Sequence, residues 1–176
     1  MLTHRYVRWS AKGRSLVELL AVMGVLAMLV SAAVPVFGEV VANYRRQAAV
    51  SSLYAHLSLA RQTAIARAQR VTVRAAPGGW QDGWQVFIDA NADGEVNPDE
   101  EVLAVGDRRL AITISANGVM ARYVSFDASG LPTQLNGAFL SGRFTICAPG
   151  KTPVDELVLS AAGRLRQARI DRSCPL

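Results

Sequence analysis

The stretch from Asp89 to Glu100 has the residue types and spacing of a calcium loop. Asp89-Ala-Asn91-Ala-Asp93-Gly94, with Glu100 at the twelfth position, fits the pattern D-x-[DN]-x-[DN]-G-x5-E. Short oxygen side chains alternate, a glycine allows the sharp turn and a carboxylate closes the set, which is what a hard, oxygen-seeking Ca2+ needs. The same string also makes a good solvated turn between strands, because Asn, Asp and Gly enter turn conformations readily. Its flanks read as strands rather than helices. A second group lies near the C-terminus, where Gly163-Arg164-Leu165-Arg166 is followed by Arg169, Asp171 and Arg172. On a strand Arg164 and Arg166 share one side, about 7 Å apart, a spacing that suits successive phosphates. A solvated strand face and a contact with a neighbouring chain are the other readings of this group.

Enzyme chemistry finds little to work with. The only histidines are His4, close to the N-terminus, and His56, beside Leu57 in a helical pattern. A histidine-based metal site or a Cys–His pair would need a second partner. No Gly-rich phosphate loop follows a strand, and no Ser/His/Asp set can be assembled. Trp80 and Trp84, near the acidic loop, could stack on carbohydrate or fill a core. The chain is read as a non-enzyme with no cofactor other than the Ca2+ that the acidic loop allows.

The elements that must position these residues begin with an unusual helix. Lys12-Gly13-Arg14-Ser15-Leu16-Val17-Glu18 leads into a run from Leu19 to Gly38 that contains no charge. About twenty apolar residues in a helix cross a ~30 Å hydrocarbon layer. A carboxylate at the edge of such a run costs on the order of a few kcal/mol unless it finds a partner, so Glu18 is a candidate for a specific role. Arg5, Arg8 and Lys12 precede the run and place the N-terminus in the cytoplasm. The alternative is a secretory signal peptide cut near Ser31-Ala32-Ala33. The rest of the chain then lies in an oxidising space, where a Cys147–Cys174 disulfide is expected in place of two free thiols. It would close a loop of about 28 residues and hold the C-terminal tail.

Beyond the run, Val50, Leu53, Leu57, Ala60 and Ala64 recur at helical steps, with Arg45, Arg46, Arg61 and Arg67 among the residues of the other side. One long helix is therefore expected from about Ser15 to Ala68, with Pro35 removing one backbone hydrogen bond. After Arg70 the period changes to two. Strands are expected at 71–73, 84–88, 101–105, 111–114, 123–126, 139–147, 156–159 and 165–170, separated by Gly- and Asn-rich turns. Short turns between successive strands imply one antiparallel sheet or two small ones.

Gly13 followed by Ser15, Leu16 and Glu18 resembles the type III signal of type IV pilins and pseudopilins. That resemblance implies cleavage after Gly13 by a prepilin peptidase and N-methylation of Arg14, which stands where the family usually has Phe or Met. Glu18 is then the fifth mature residue, implied to pair with the terminal amine of a neighbouring subunit during assembly, and Pro35 falls where the family has a helix-loosening proline. Gly83 to Asp89, Glu101-Val-Leu, Phe144 to Cys147, Leu157 to Ser160, Gly163 to Arg166 and Cys174 resemble the GspH/FimT branch of minor pilins and pseudopilins. The likeness covers nearly the whole chain. It implies an α+β, pilin-like fold, with a long N-terminal transmembrane and amphipathic helix on a C-terminal antiparallel β domain. The expected organisation is a cleaved leader at 1–13, a membrane or filament-core segment at 14–41, and a periplasmic domain at 42–176, built from an amphipathic helix at 42–68 and β-sheet at 71–176. The expected place is the bacterial inner membrane, single-pass, and then a pilus or pseudopilus. The expected partners are other minor and major pilins or pseudopilins, the inner membrane and the prepilin peptidase. Tip placement, priming of assembly and protein secretion follow from the same resemblance. Its FimT side implies binding of double-stranded DNA during natural transformation through Arg164, Arg166 and Arg169.

Overall, 176 residues carry a net charge of +5. Removing residues 1–13 leaves 16 basic against 14 acidic residues, about +2. A coat of positive charge for nucleic acid is absent from the composition, so any such use must be local.

Overall fold

In a computed structural model, the described residues are 15–109 and 111–174, with the side chains of 32–36 also outside the description. The expected processing residues Gly13 and Arg14, and the side chain of Pro35, therefore lie outside it. The chain divides into two compact units, Met1–Val40 and Val41–Leu176. One helix, α1 (Leu16–Arg67), contributes to both.

Ser15 starts α1. Its Oγ accepts the Val17 amide at 3.3 Å and its carbonyl accepts the Glu18 amide at 3.0 Å. Ser15 and Glu18 have the spacing of a capping box, and Glu18 lies in the first turn, where the helix dipole favours a negative charge. That local role was not read from the sequence. In the first unit the apolar side chains are uncovered: Leu16, Leu19, Leu20, Leu26 and Leu29 each expose more than half of their surface. Among the described residues no helix is long and apolar enough to cross a membrane. The uncharged run expected to do so includes residues 32–36.

In the second unit, Ala49, Val50, Leu53, Leu57, Ala60 and Ala64 form the buried stripe of α1, as the helical periodicity requires. The helix ends in a Schellman arrangement. The Gln69 amide reaches back to the Ala64 carbonyl at 3.2 Å and the Ala68 amide to Ile65 at 3.4 Å, with Ala68 at φ +51°. Among the described residues nine strands follow: β1 (Val71–Ala76), β2 (Gly79–Ile88), β3 (Val102–Gly106), β4 (Thr113–Ala116), β5 (Tyr123–Phe126), β6 (Pro132–Thr133), β7 (Gly142–Cys147), β8 (Val154–Leu159) and β9 (Leu165–Ile170). They form two antiparallel sheets, ordered β3-β2-β1-β5-β6 and β4-β7-β8-β9. The two-residue β6 has no signal in the sequence, and the expected strand at 139–147 begins only at Gly142, Phe139 making an isolated bridge to Thr133.

Both sheets face the α1 stripe through one core. Val71, Val73, Val86 and Phe126 come from the first sheet, and Ile114, Phe144, Ile146, Leu157 and Leu159 from the second. Trp80 and Trp84 are 1% and 2% exposed. Trp80 lies edge-on to Phe144 at 4.9 Å and donates to the Met120 carbonyl at 2.8 Å. Buried indoles present no stacking face to carbohydrate, so packing is the role of both. Arg46, read from periodicity as part of the polar side, is instead buried and ion-paired with Asp155 of β8.

Candidate functional site

The turn Ser160–Arg164 between β8 and β9 carries the C-terminal arginines. Ser160 Oγ accepts the Arg164 amide at 3.1 Å, and the Ser160 carbonyl accepts the Gly163 amide at 2.9 Å. Gly163 adopts φ +76°, and a Cβ there would lie 2.7 Å from Arg61 Nε. Only glycine combines that backbone with so close a neighbour. Arg61 uses the space to donate from Nε to the Gly130 carbonyl at 3.0 Å. Arg164 stands at the hairpin tip, where it lines a cleft of about 290 Å³ with Tyr54, Ser58, Arg61 and Gln62 of α1.

Strand register sorts the remaining arginines. Asp155, Leu157 and Leu159 of β8 face α1, so their partners Arg169, Gln167 and Leu165 do too. Arg169 is held there at 3.4 Å from Asp155, on the opposite face from Arg166. The three expected contact residues therefore do not form one row. Arg166 instead shares a row with residues the sequence reading passed over. Arg143 of β7 pairs with Val158, and Val158 pairs with Arg166. Glu156, on the same face and 5% exposed, is ion-paired with Arg143 at 3.5 Å and accepts Arg172 at 3.2 Å. The outer face of this sheet thus brings Arg143 and Arg172 to one carboxylate, with Arg166 in the same cross-strand row as Arg143. Arg143 is isolated in the sequence, and only the β7–β8 register reveals it.

The acidic loop joins β2 to β3 and satisfies most of its oxygens internally, but Asp89 Oδ1 is buried with no hydrogen-bond partner among the described residues. Asp89, 1% exposed, accepts the Thr72 hydroxyl at 2.7 Å and faces the sheet. Asp93 Oδ1 accepts the Glu95 amide at 2.7 Å, and Asp93 Oδ2 accepts the Asn97 and Asn91 side-chain amides at 3.1 and 2.8 Å. The Glu95 amide is the main reason that Asp93 is held below the usual carboxylate range, with Asn97 next. Asn91 Oδ1 accepts the Asp93 amide at 3.1 Å. Glu100 accepts the Ala90 and Asn97 amides at 3.0 and 3.1 Å. Among the described residues no three His, Cys, Asp or Glu side chains are placed to hold a metal ion. Of the residues with the calcium spacing, Asn91, Asp93 and Glu100 accept amides of the loop, and Asp89 accepts the Thr72 hydroxyl.

Cys147 and Cys174 form the disulfide, with Cα atoms 5.6 Å apart, and the Cys174 amide donates to the Lys151 carbonyl at 3.0 Å. His56 accepts the Trp84 indole N–H at Nδ1, 2.8 Å away. Burial, then the Arg109 charge, lowers its pKa from 6.5. It is a half-buried acceptor that ties α1 to β2.

With this geometry in hand, comparison with known proteins gives consistent likenesses. The profile of the family described as Type II transport protein GspH matches residues 49–170. The structure of the type IV minor pilin FimU from Pseudomonas aeruginosa is similar at a TM-score of 0.59 and 24% identity, covering 72% of this chain and 90% of that one. A second crystal form of FimU gives a TM-score of 0.56 and 25% identity, over 69% and 91%. The minor pseudopilin EpsH from the Type 2 Secretion System of Vibrio cholerae gives 0.50 and 17%, over 72% and 95%. No curated protein sequence matches the chain. The shared architecture is the pilin fold, with an N-terminal helix on antiparallel sheets.

Proposed function

The chain belongs to the family of the type II transport protein GspH, and from that premise we propose that it is a minor pilin or pseudopilin, a structural subunit and not an enzyme. It is cut after Gly13, N-methylated at Arg14 and held in the bacterial inner membrane by the first part of α1, with residues 42–176 in the periplasm. It enters a type II secretion pseudopilus or a type IV pilus at or near the tip, where it primes assembly and supports protein secretion with other minor and major subunits. The observation that carries this reading is the bare apolar surface of α1 from Leu16 to Val30. Such a surface needs lipid or the helices of other subunits to cover it. Glu18 neutralises the Arg14 amine of the next subunit as the helix leaves lipid.

Intact mass of the chain recovered from cells with the peptidase tests the processing. A chain beginning at methylated Arg14 is expected, and one beginning at Ala33 or Val34 overturns the reading. Glu18→Ala should abolish incorporation into filaments.

A second reading has one observation in its favour, the arginines gathered on the outer face of the β7-β8-β9 sheet and at the hairpin tip. In it, Arg164 and Arg166, with Arg143 and Arg172 beside them, bind the backbone of double-stranded DNA during uptake, without sequence preference and with strong salt sensitivity. A gel shift with the full chain in detergent tests it: Arg164→Gln/Arg166→Gln should lose binding, and no shift at low salt removes the reading.

A further inference from the structure

A different basic cluster lies where α1 meets the connection between β3 and β4. Tyr44, Arg45 and Ala48 of α1, with Arg108, Arg109 and Ile112, line a cleft of about 270 Å³. Arg109 is fixed in place before any ligand arrives. Its Nη2 donates to Ser52 Oγ at 2.8 Å, and its guanidinium lies 5.9 Å from the centroid of the Trp84 ring. Its backbone amide donates to the Gln81 carbonyl at 2.7 Å. Its Nε is nevertheless buried without an acceptor, an unusual state for so strong a donor. Arg108 is paired with Asp82 at 3.0 Å. Arg45 is exposed and has no ion pair among the described residues. Asp107 adjoins the cluster in sequence and acts on His56. Two guanidinium groups, on Arg45 and Arg109, are thus left to meet an oxyanion.

We propose that this cleft binds the phosphate of an anionic lipid headgroup. The proposal rests on the membrane-anchored reading above. Planar guanidinium forks match phosphate oxygens, and a phenol adds a further donor. The choice of lipid comes from chain position. Tyr44 and Arg45 follow Gly38, the end of the uncharged run, by only six and seven residues in the same helix. Side chains on a helix lean toward its N-terminus, the direction in which that run lies in the sequence. Tyr and Arg are also the residue types that settle at headgroup level, the aromatic ring in the interface and the cation on phosphate.

The test uses the full chain in non-ionic detergent. Native mass spectrometry counts retained phosphatidylglycerol or phosphatidylcholine, with glycerol 3-phosphate as a soluble competitor. Wild type should retain phosphatidylglycerol severalfold better than phosphatidylcholine. Arg45→Gln and Arg109→Gln should each weaken retention about fivefold, the share of one surface arginine, while Arg164→Gln/Arg166→Gln should not. Equal retention by wild type and Arg45→Gln overturns the site. So does equal retention of the two lipids. Displacement by glycerol 3-phosphate reassigns the cleft to soluble phosphates and overturns the lipid proposal. Arg45 is exposed and holds no ion pair among the described residues, so its variant remains informative if Arg109→Gln fails to fold. Flotation with vesicles separates the two levels. A chain that floats with neither lipid rejects the anchored reading itself, whereas one that floats with both while its variants retain lipid alike rejects the site alone.

Discussion

Arg46 of α1 and Asp155 of β8 are ion-paired inside the second unit, 5% and 1% exposed, and no nearer in sequence than 109 residues. Asn43 Oδ1 takes a further Arg46 donor at 3.2 Å and Arg169 approaches Asp155 at 3.4 Å. The pair therefore fastens the helix to the same sheet whose outer face holds Arg143 and Arg166. Desolvating two charges is costly, and their attraction offsets that cost only while both are present. Arg46→Ala or Asp155→Ala should each destabilise the fold by about 3–5 kcal/mol, because each strands a buried charge. Arg46→Met/Asp155→Leu should recover most of that loss. Urea melts of the four proteins check this, and additive single losses would show that the two residues do not act as a pair.

Ala68 adopts a left-handed conformation at the C-terminus of α1. A Cβ in that region costs about 1–2 kcal/mol, which glycine avoids. Ala68→Gly should raise stability by roughly 1 kcal/mol, an uncommon gain from removing a methyl group. A lowered urea midpoint would mean that the cap is not formed in solution.

His56 gives the stability a specific pH slope. Its pKa is depressed in the fold, first by burial and then by Arg109. The unfolded chain therefore binds the proton more readily between the ordinary value of 6.5 and the lowered one. Stability should rise with pH through that window and fall as pH drops through it, because protonation also removes the acceptor of the Trp84 N–H. Thermal melts of wild type and His56→Gln between pH 5 and 7.5 should diverge on the acid side. Parallel curves would assign the slope to other groups.

The Cys147–Cys174 bond spans 27 residues and closes β8 and β9 into one loop. Reduction should cost about 3 kcal/mol by releasing that loop in the unfolded chain. Loss of β9 protection should follow, seen by hydrogen exchange with and without reductant. Unchanged exchange at Leu165–Ile170 would show that pairing with β8 suffices.

The buried stripe of α1 and most strands were legible because burial leaves periods of 3.6 and two in the sequence. Val50, Leu53 and Leu57 announce themselves in this way, and so does the Cys147–Cys174 pair once its compartment is inferred. Arg46 was not legible, since a charged side chain on a helix reads as solvated until its carboxylate is known. Asp155 and Glu156 are adjacent acids in the sequence, yet the strand sends one to the helix and the other to the outer face. Arg143 and Arg169 exchanged importance for the same reason. Pairing register, which no single strand encodes, decides which arginines meet. In the acidic loop the spacing alone did not show that Asn91, Asp93 and Glu100 accept the loop's own amides while Asp89 turns to Thr72.

At Gly163 the missing side chain leaves the room that the Arg61 guanidinium occupies. Evolution can therefore vary the hairpin tip on either side of this position far more freely than at it. Even an added methyl group would dislodge an arginine rooted in a different element and loosen the Gly130 carbonyl it grips. A replacement there is felt a hundred residues upstream, on the helix, before it is felt by anything the tip touches.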